Sequence, residues 1–146
     1  MPQNEWDKQL SPIRHRLAGI EHMRESRVFL TCQAEHVYEV CRFLFCDLGL
    51  RFVISTGIDA EDCFEVLHHF SDDASGTMVT VKAFIRDRER PQIDSITPLI
   101  PGAEWTEREM HDLLGIGFRN HPNLQRLILA DDWPEGVYPL RKEIQT

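Results

Sequence analysis

Two alternating runs constrain this chain more than anything else in it. Residues 63–70 read CFEVLHHF and residues 77–87 read TMVTVKAFIRD. In an extended backbone Phe64, Val66, His68 and Phe70 fall on one face of the first run, and Val79, Val81, Ala83 and Ile85 on one face of the second. SDDASG between them is turn sequence, so the runs pair as an antiparallel hairpin. A hairpin that is apolar on one side must bury that side under something else.

The preceding residues supply the cover. AEHVYEVCRFLFCDLG places Val37, Val40, Cys41, Leu44 and Leu48 at helical spacing, with Gly49 as a stop. SPIRHRLAG predicts a short helix with Ser11 as N-cap, Pro12 at the first helical position and Gly19 at its end. Ile13 and Leu17 share one face, and Trp6 and Leu10 extend that stripe upstream. IEHMRESRVFLT fits two short strands around Glu25-Ser26, and a longer first helix would also fit it; LRFVIST reads as a further strand. The order is α-β-β-α-β-β-β, followed by short helices and an extended tail. It predicts an α+β fold of two layers: a mixed, mainly antiparallel sheet with helices on one face.

At 146 residues the chain is expected to be one domain, with a core part over 1–104 and a signature helix and tail over 105–146. The formal net charge of -8 is the wrong sign for a general nucleic-acid or anionic-membrane surface. The polar start MPQNEWDKQL does not read as a signal peptide, and no apolar stretch is long and uninterrupted enough to span a bilayer. Cys32, Cys41, Cys46 and Cys63 form no Cys-x-x-Cys pair, so they read as reduced thiols, mostly buried.

After Pro91 the pattern changes. SITPLIPGAEW allows at most a short helix, whereas TEREMHDLLGIGF defines one. Thr106 and Glu109 have capping-box spacing, Trp105 and Met110 that of a hydrophobic staple, and Gly115 is the C-terminal stop. Met110, Leu113 and Leu114 make the buried stripe. Glu107 and His111 lie on its flank, while Arg108 and Asp112 lie on the face away from the core. Glu107 and Glu109 suit the positive helix start. Arg108 and Asp112 oppose the dipole, which suggests charges placed for an outside partner.

Glu107, His111, Asp112 and His121 are also suitable metal-ligand types, and a stand-alone metal-dependent hydrolase would use Glu107, Glu109, His111 and His121. The spacing argues against it: His-Glu-x-x-His is absent, and His111 and Asp112 are adjacent and diverge by about 100°. His68 and His69 face opposite sides of a strand, one packed and one exposed. His121 precedes Pro122, which favours an extended backbone, and its imidazole is expected to bond a neighbouring carboxylate or carbonyl, with Glu109 or Asp112 nearest in sequence. Residues 119–146 carry Pro122, Pro134 and Pro139 and no sustained period. Trp133, Val137, Tyr138 and Leu140 are apolar anchors without a face of their own, and Arg141 and Lys142 form a positive end suited to a neighbour's carboxylates.

EWTEREMHDLLGIGFRNHPNLQRLIL, followed by PLRKE, resembles the signature of the 30-kDa subunit of respiratory complex I, a domain also found in related membrane-bound [NiFe] hydrogenases. FEVLHHF and RFLFCDLGLRFVIST are weaker echoes, and the resemblance covers about residues 34–143. His111 stands where Tyr is common, Leu114 where Phe is, and Glu143 where Asp is. The compact ending looks more like the hydrogenase-type subunit.

The resemblance implies a non-catalytic subunit of the hydrophilic arm of an electron-transfer complex. It would sit on the cytoplasmic face of the inner membrane through its partners, a large hydrogenase-like subunit and a small iron–sulfur subunit. It would carry no cofactor itself; iron–sulfur clusters, and in a hydrogenase Ni-Fe, would lie in the partners. The partner interface would take in Glu107, Arg108, Glu109, His111, Asp112, His121, Arg126, Leu140, Arg141 and Lys142, shaped by Thr106, Gly115, Phe118, Pro122 and Pro139. A free interaction module acting in assembly is the other reading.

Overall fold

The computed structural model describes residues 3–142. Its main sheet is built from β1 (Gly19–Arg24), β2 (Arg27–Gln33), β3 (Arg51–Asp59), β4 (Phe64–Asp72) and β5 (Thr77–Ile85), in the order β1-β2-β5-β4-β3. β2 runs parallel to β5, and the other pairings are antiparallel. The fold is therefore the mixed, mainly antiparallel α+β arrangement expected from the alternation. In the β4–β5 hairpin Phe64 sits opposite Ile85, Val66 opposite Ala83, His68 opposite Val81 and Phe70 opposite Val79. All eight are buried, so the two apolar sets form one continuous face.

That face is covered by α1 (Gln3–Gln9), a 3₁₀ segment (Ser11–Arg16) and α2 (Val37–Arg42). Trp6, Leu10, Ile13, Leu17, Val37, Val40, Cys41 and Leu44 join the strand residues in one core. Two end signals differ from expectation. Leu10, not Ser11, is the cap residue of the 3₁₀ segment, with no side-chain cap. That segment stops at Arg16, and Gly19 opens β1 instead of closing the helix. The physical reason is Pro12, which confines the segment to tight 3₁₀ turns between two chain reversals. α2 widens into a π-helical turn (Phe43–Asp47), and Gly49 at φ +68° ends it as expected.

The stretch after Pro91 contains structure too short to leave a period in the sequence. β6 (Gln92–Asp94) and β7 (Gly117–Arg119) pair in parallel, and α3 (Glu104–Leu114) is their crossover. Ile93, Ile96, Met110, Leu114, Ile116 and Phe118 from this unit are buried in the same core. α3 crosses β3 at Gly57, where an added Cβ would lie 2.8 Å from Leu114 Cδ1 and 3.1 Å from Met110 Sδ. A strand glycine thus sets how closely the helix seats on the sheet.

Candidate docking site

α3 starts earlier than its capping motif predicts. A 3₁₀ turn over Pro101–Ala103 feeds into it, Ala103 is the cap residue, and no side chain caps the start. Thr106 is already inside the first turn, and its hydroxyl donates back to the Ala103 carbonyl at 3.1 Å. The Thr106–Glu109 capping box and the Trp105–Met110 staple are therefore corrected: Glu109 is exposed, and Trp105 is 68% exposed. Pro101 and the turn behind it displace the start, which residue spacing within the helix cannot reveal.

Glu107 is not a solvated first-turn carboxylate but completely buried. It accepts from Ser95 Oγ at 2.6 Å, from the Ile96 amide at 3.0 Å and from Thr97 Oγ1. Burial raises its pKa, and these donors oppose that rise without cancelling it. Glu107 thus fixes the β6–α3 loop across the start of the helix. His121 lies next to it. Its Nδ1 accepts the Asn123 amide at 3.0 Å, so Nε2 carries the proton and donates to the Glu104 carbonyl at 3.1 Å. The partner is a carbonyl, as anticipated in kind, but neither Glu109 nor Asp112 takes part.

Arg108 and Asp112 do lie on the face away from the sheet, but the chain returns over that face and covers it. Arg108 donates through Nε to the Gln125 carbonyl at 3.0 Å and through Nη2 to the Arg126 carbonyl at 2.9 Å. Asp112 is 3% exposed, and its Oδ2 accepts the amides of Leu127, Ile128 and Leu129 at 2.8, 2.8 and 3.2 Å. Burial alone would raise the Asp112 pKa; the three amides and His111 outweigh it, and the net shift is downward. A solvent-facing assignment fails here because one helix had two buried faces. Arg126 braces the next turn, donating through Nη1 to the carbonyls of Ala130 and Asp131.

The last described residues close onto the helix end. Gly115 takes φ +77° as the C-terminal stop, and an added Cβ there would lie 2.6 Å from Arg141 Nη2 and from the Tyr138 ring. The Leu140 amide donates to the Leu113 carbonyl at 3.0 Å, and Arg141 Nε to the Leu114 carbonyl at 2.7 Å. The Arg141 guanidinium stands 4.5 Å from the Tyr138 ring centre and 5.1 Å from that of Phe64. The Lys142 amide donates to Asp59 Oδ2 at 2.9 Å. Asp59 also takes a bidentate contact from Arg88, at 2.8 and 3.1 Å, which together with the amides of Lys142 and Glu61 holds its carboxyl down at about 2. The Arg141 guanidinium is thus used within the chain, whereas Lys142 contributes its backbone amide and its side chain is exposed. Glu143 lies outside the described residues.

Sequence reasoning missed Asp59, Arg88, Ser95 and Thr97. Their partners lie many residues away along the chain, and no local spacing marks them. His111 donates through Nδ1 to the Ile116 carbonyl at 2.8 Å. Of Glu107, Glu109, His111 and His121, Glu107 and His121 approach to 4.0 Å while Glu109 is exposed and His111 turns to the Ile116 carbonyl, and among the described residues no three His, Cys, Asp or Glu side chains group as a metal site would.

Residues 30–146 match the family model described as respiratory-chain NADH dehydrogenase, 30 Kd subunit. The chain is 37% identical to the C subunit of NADH-quinone oxidoreductase from Citrifermentans bemidjiense over 120 residues, which is 80% of this chain and 73% of that protein. Its fold superposes with a TM-score of 0.80 on a chain from the structure of the membrane-bound sulfane sulfur reductase, an archaeal respiratory membrane complex. That match has 26% identity and covers 95% of this chain and 83% of the other. A trypsin-resistant fragment of Nqo5 gives a TM-score of 0.67 at 23% identity, covering 82% and 98% of the two chains, and shares the fold.

Proposed function

This chain belongs to the family of 30-kDa subunits of respiratory-chain NADH dehydrogenase, and we propose that it is a non-catalytic docking subunit in the hydrophilic arm of such a complex. Its neighbours there are the large subunit and the small iron–sulfur subunit, and it reaches the cytoplasmic face of the membrane through them. No helix among the described residues is long and apolar enough to cross a membrane.

The observation that carries this reading is how the signature residues are used. Arg108 and Asp112 hold residues 125–129 against α3, and this leaves apolar side chains pointing outward from that frame. Ile128 is 56% exposed, Leu140 57% and Trp105 68%. A rigid, hydrogen-bonded support that presents large apolar groups to solvent has the composition of an interface core. Residues 105–146 are, on this reading, the partner-binding part of the chain.

The test is co-purification of the complex from native membranes carrying Ile128→Asp or Trp105→Asp. The isolated variants are expected to melt within about 0.5 kcal/mol of the parent, since both side chains are exposed. The membrane complex is expected to lose this subunit. Full incorporation of both variants would defeat the proposal.

A further inference from the structure

Where the tail arches over α3 it leaves a cavity of about 330 Å³. His111 and Asp112 form its α3 wall, and Arg126, Trp133, Glu135 and Tyr138 are among the residues of its tail wall. The hydrogen-bonding state of each group limits what the cavity can hold. His111 uses its Nδ1 proton on the Ile116 carbonyl, so Nε2 has only a lone pair to offer. Trp133 donates its indole N–H to the Val137 carbonyl at 2.8 Å, leaving the ring faces. Asp112 accepts its three amides through Oδ2, and Glu135 is exposed with no ion pair among the described residues. Arg126 is the one Lys or Arg on the wall, and its Nη1 is held by the Ala130 and Asp131 carbonyls.

The unmet capacity is thus two carboxylates, an imidazole lone pair and aromatic surface, against one cation, Arg126, whose Nε and Nη2 remain open, so the carboxylates outnumber it two to one. That combination accepts hydrogen bonds and favours positive charge. The charges nearby agree: Asp131, Asp132 and Glu135 are all exposed on this part of the tail. We propose that the cavity receives an arginine side chain projected by a neighbouring subunit, its guanidinium between Asp112 and Glu135 and against the Trp133 ring. The inference rests on the docking reading above and adds the chemistry of the partner. It also reverses the polarity expected from the sequence, where Arg141 and Lys142 seek acidic groups on the neighbour.

Two measurements test it. The first is NMR titration of the whole chain with N-acetyl-arginine amide, with N-acetyl-glutamate amide as the control. The Trp133 indole signal is expected to shift saturably with the arginine compound only, while the Trp6 indole in the core stays still. Glu135→Lys is expected to weaken the effect tenfold or more. An unmoved Trp133 signal, or equal response to both compounds, overturns the proposal.

The second compares Glu135→Lys with Ile128→Asp in the membrane complex. If Ile128→Asp releases the subunit and Glu135→Lys does not, the cavity is not an arginine socket and the docking reading stands. If neither releases it, both fall. Release by both variants supports both.

Discussion

Residues 3–119 and residues 120–142 are fixed in place by different physics. The first region has strands and helices whose apolar faces meet in one core. The second has no helix or strand, and none of its residues is buried as a whole. Apart from Leu124, which packs on the core, it is held by polar anchors that belong to the first region: Glu104, Arg108, Asp112, the carbonyls of Leu113 and Leu114, and Asp59. A segment with no core of its own can still take one conformation if buried charges of a finished domain collect its backbone groups. The apolar effect supplies bulk stability in one region, and directional bonds supply position in the other.

The largest test of that contrast is Glu107→Leu, inside the first region. It leaves two hydroxyls and an amide buried without an acceptor, and the isolated protein is expected to lose about 3 kcal/mol or more in denaturant unfolding. A near-neutral result would mean that the loop over α3 relaxes freely, and the contrast would blur. Asp112→Ala strikes the second region. It is expected to cost less globally, about 2 kcal/mol, and to act locally. Hydrogen exchange at Leu127, Ile128 and Leu129 should accelerate while β4 and β5 keep their protection. Uniform acceleration across the chain would show that the tail and core unfold as one unit.

The anchor at Asp59 gives a smaller, pH-dependent effect. Its carboxyl titrates near 2, below its ordinary 3.8, chiefly because of the Arg88 contact. A depressed acid stabilises the fold above its unfolded value and loses that contribution as pH falls through the folded one. The Lys142 amide resonance should therefore hold its position down to about pH 3 and move as pH falls through about 2. Movement centred near 4 would remove Asp59 as an anchor. Smallest of all is Glu109→Ala. This residue is exposed on α3, and the change is expected to stay within about 0.5 kcal/mol in the isolated chain.

The same division explains what was legible in the sequence. Alternation and helical spacing report apolar faces, so Phe64 to Phe70, Val79 to Ile85 and the Val37–Leu44 stripe were all readable in advance. Gly115 and Gly49 were readable because a left-handed stop has few alternatives to glycine. Glu107 and Asp112 were misplaced because a helical wheel knows only one partner surface, and α3 has two. Asp59 offered no signal, since the group it binds arrives much later in the chain. Within the signature segment, Arg108, Asp112 and Arg141 serve to fix the chain on itself.

That separation has a consequence for how the molecule is made. Lys142 follows Asp59 by 83 residues. At translation speeds of about 5–20 residues per second, roughly 4 to 17 seconds pass between the synthesis of the two. Arg88 follows Asp59 by 29 residues and so arrives early in that interval, whereas the carbonyls of Leu113 and Leu114, made later, wait only for Leu140 and Arg141 at its end. All five strands of the main sheet have therefore left the ribosome before residues 120–142 exist, and those residues fold onto groups already laid down ahead of them.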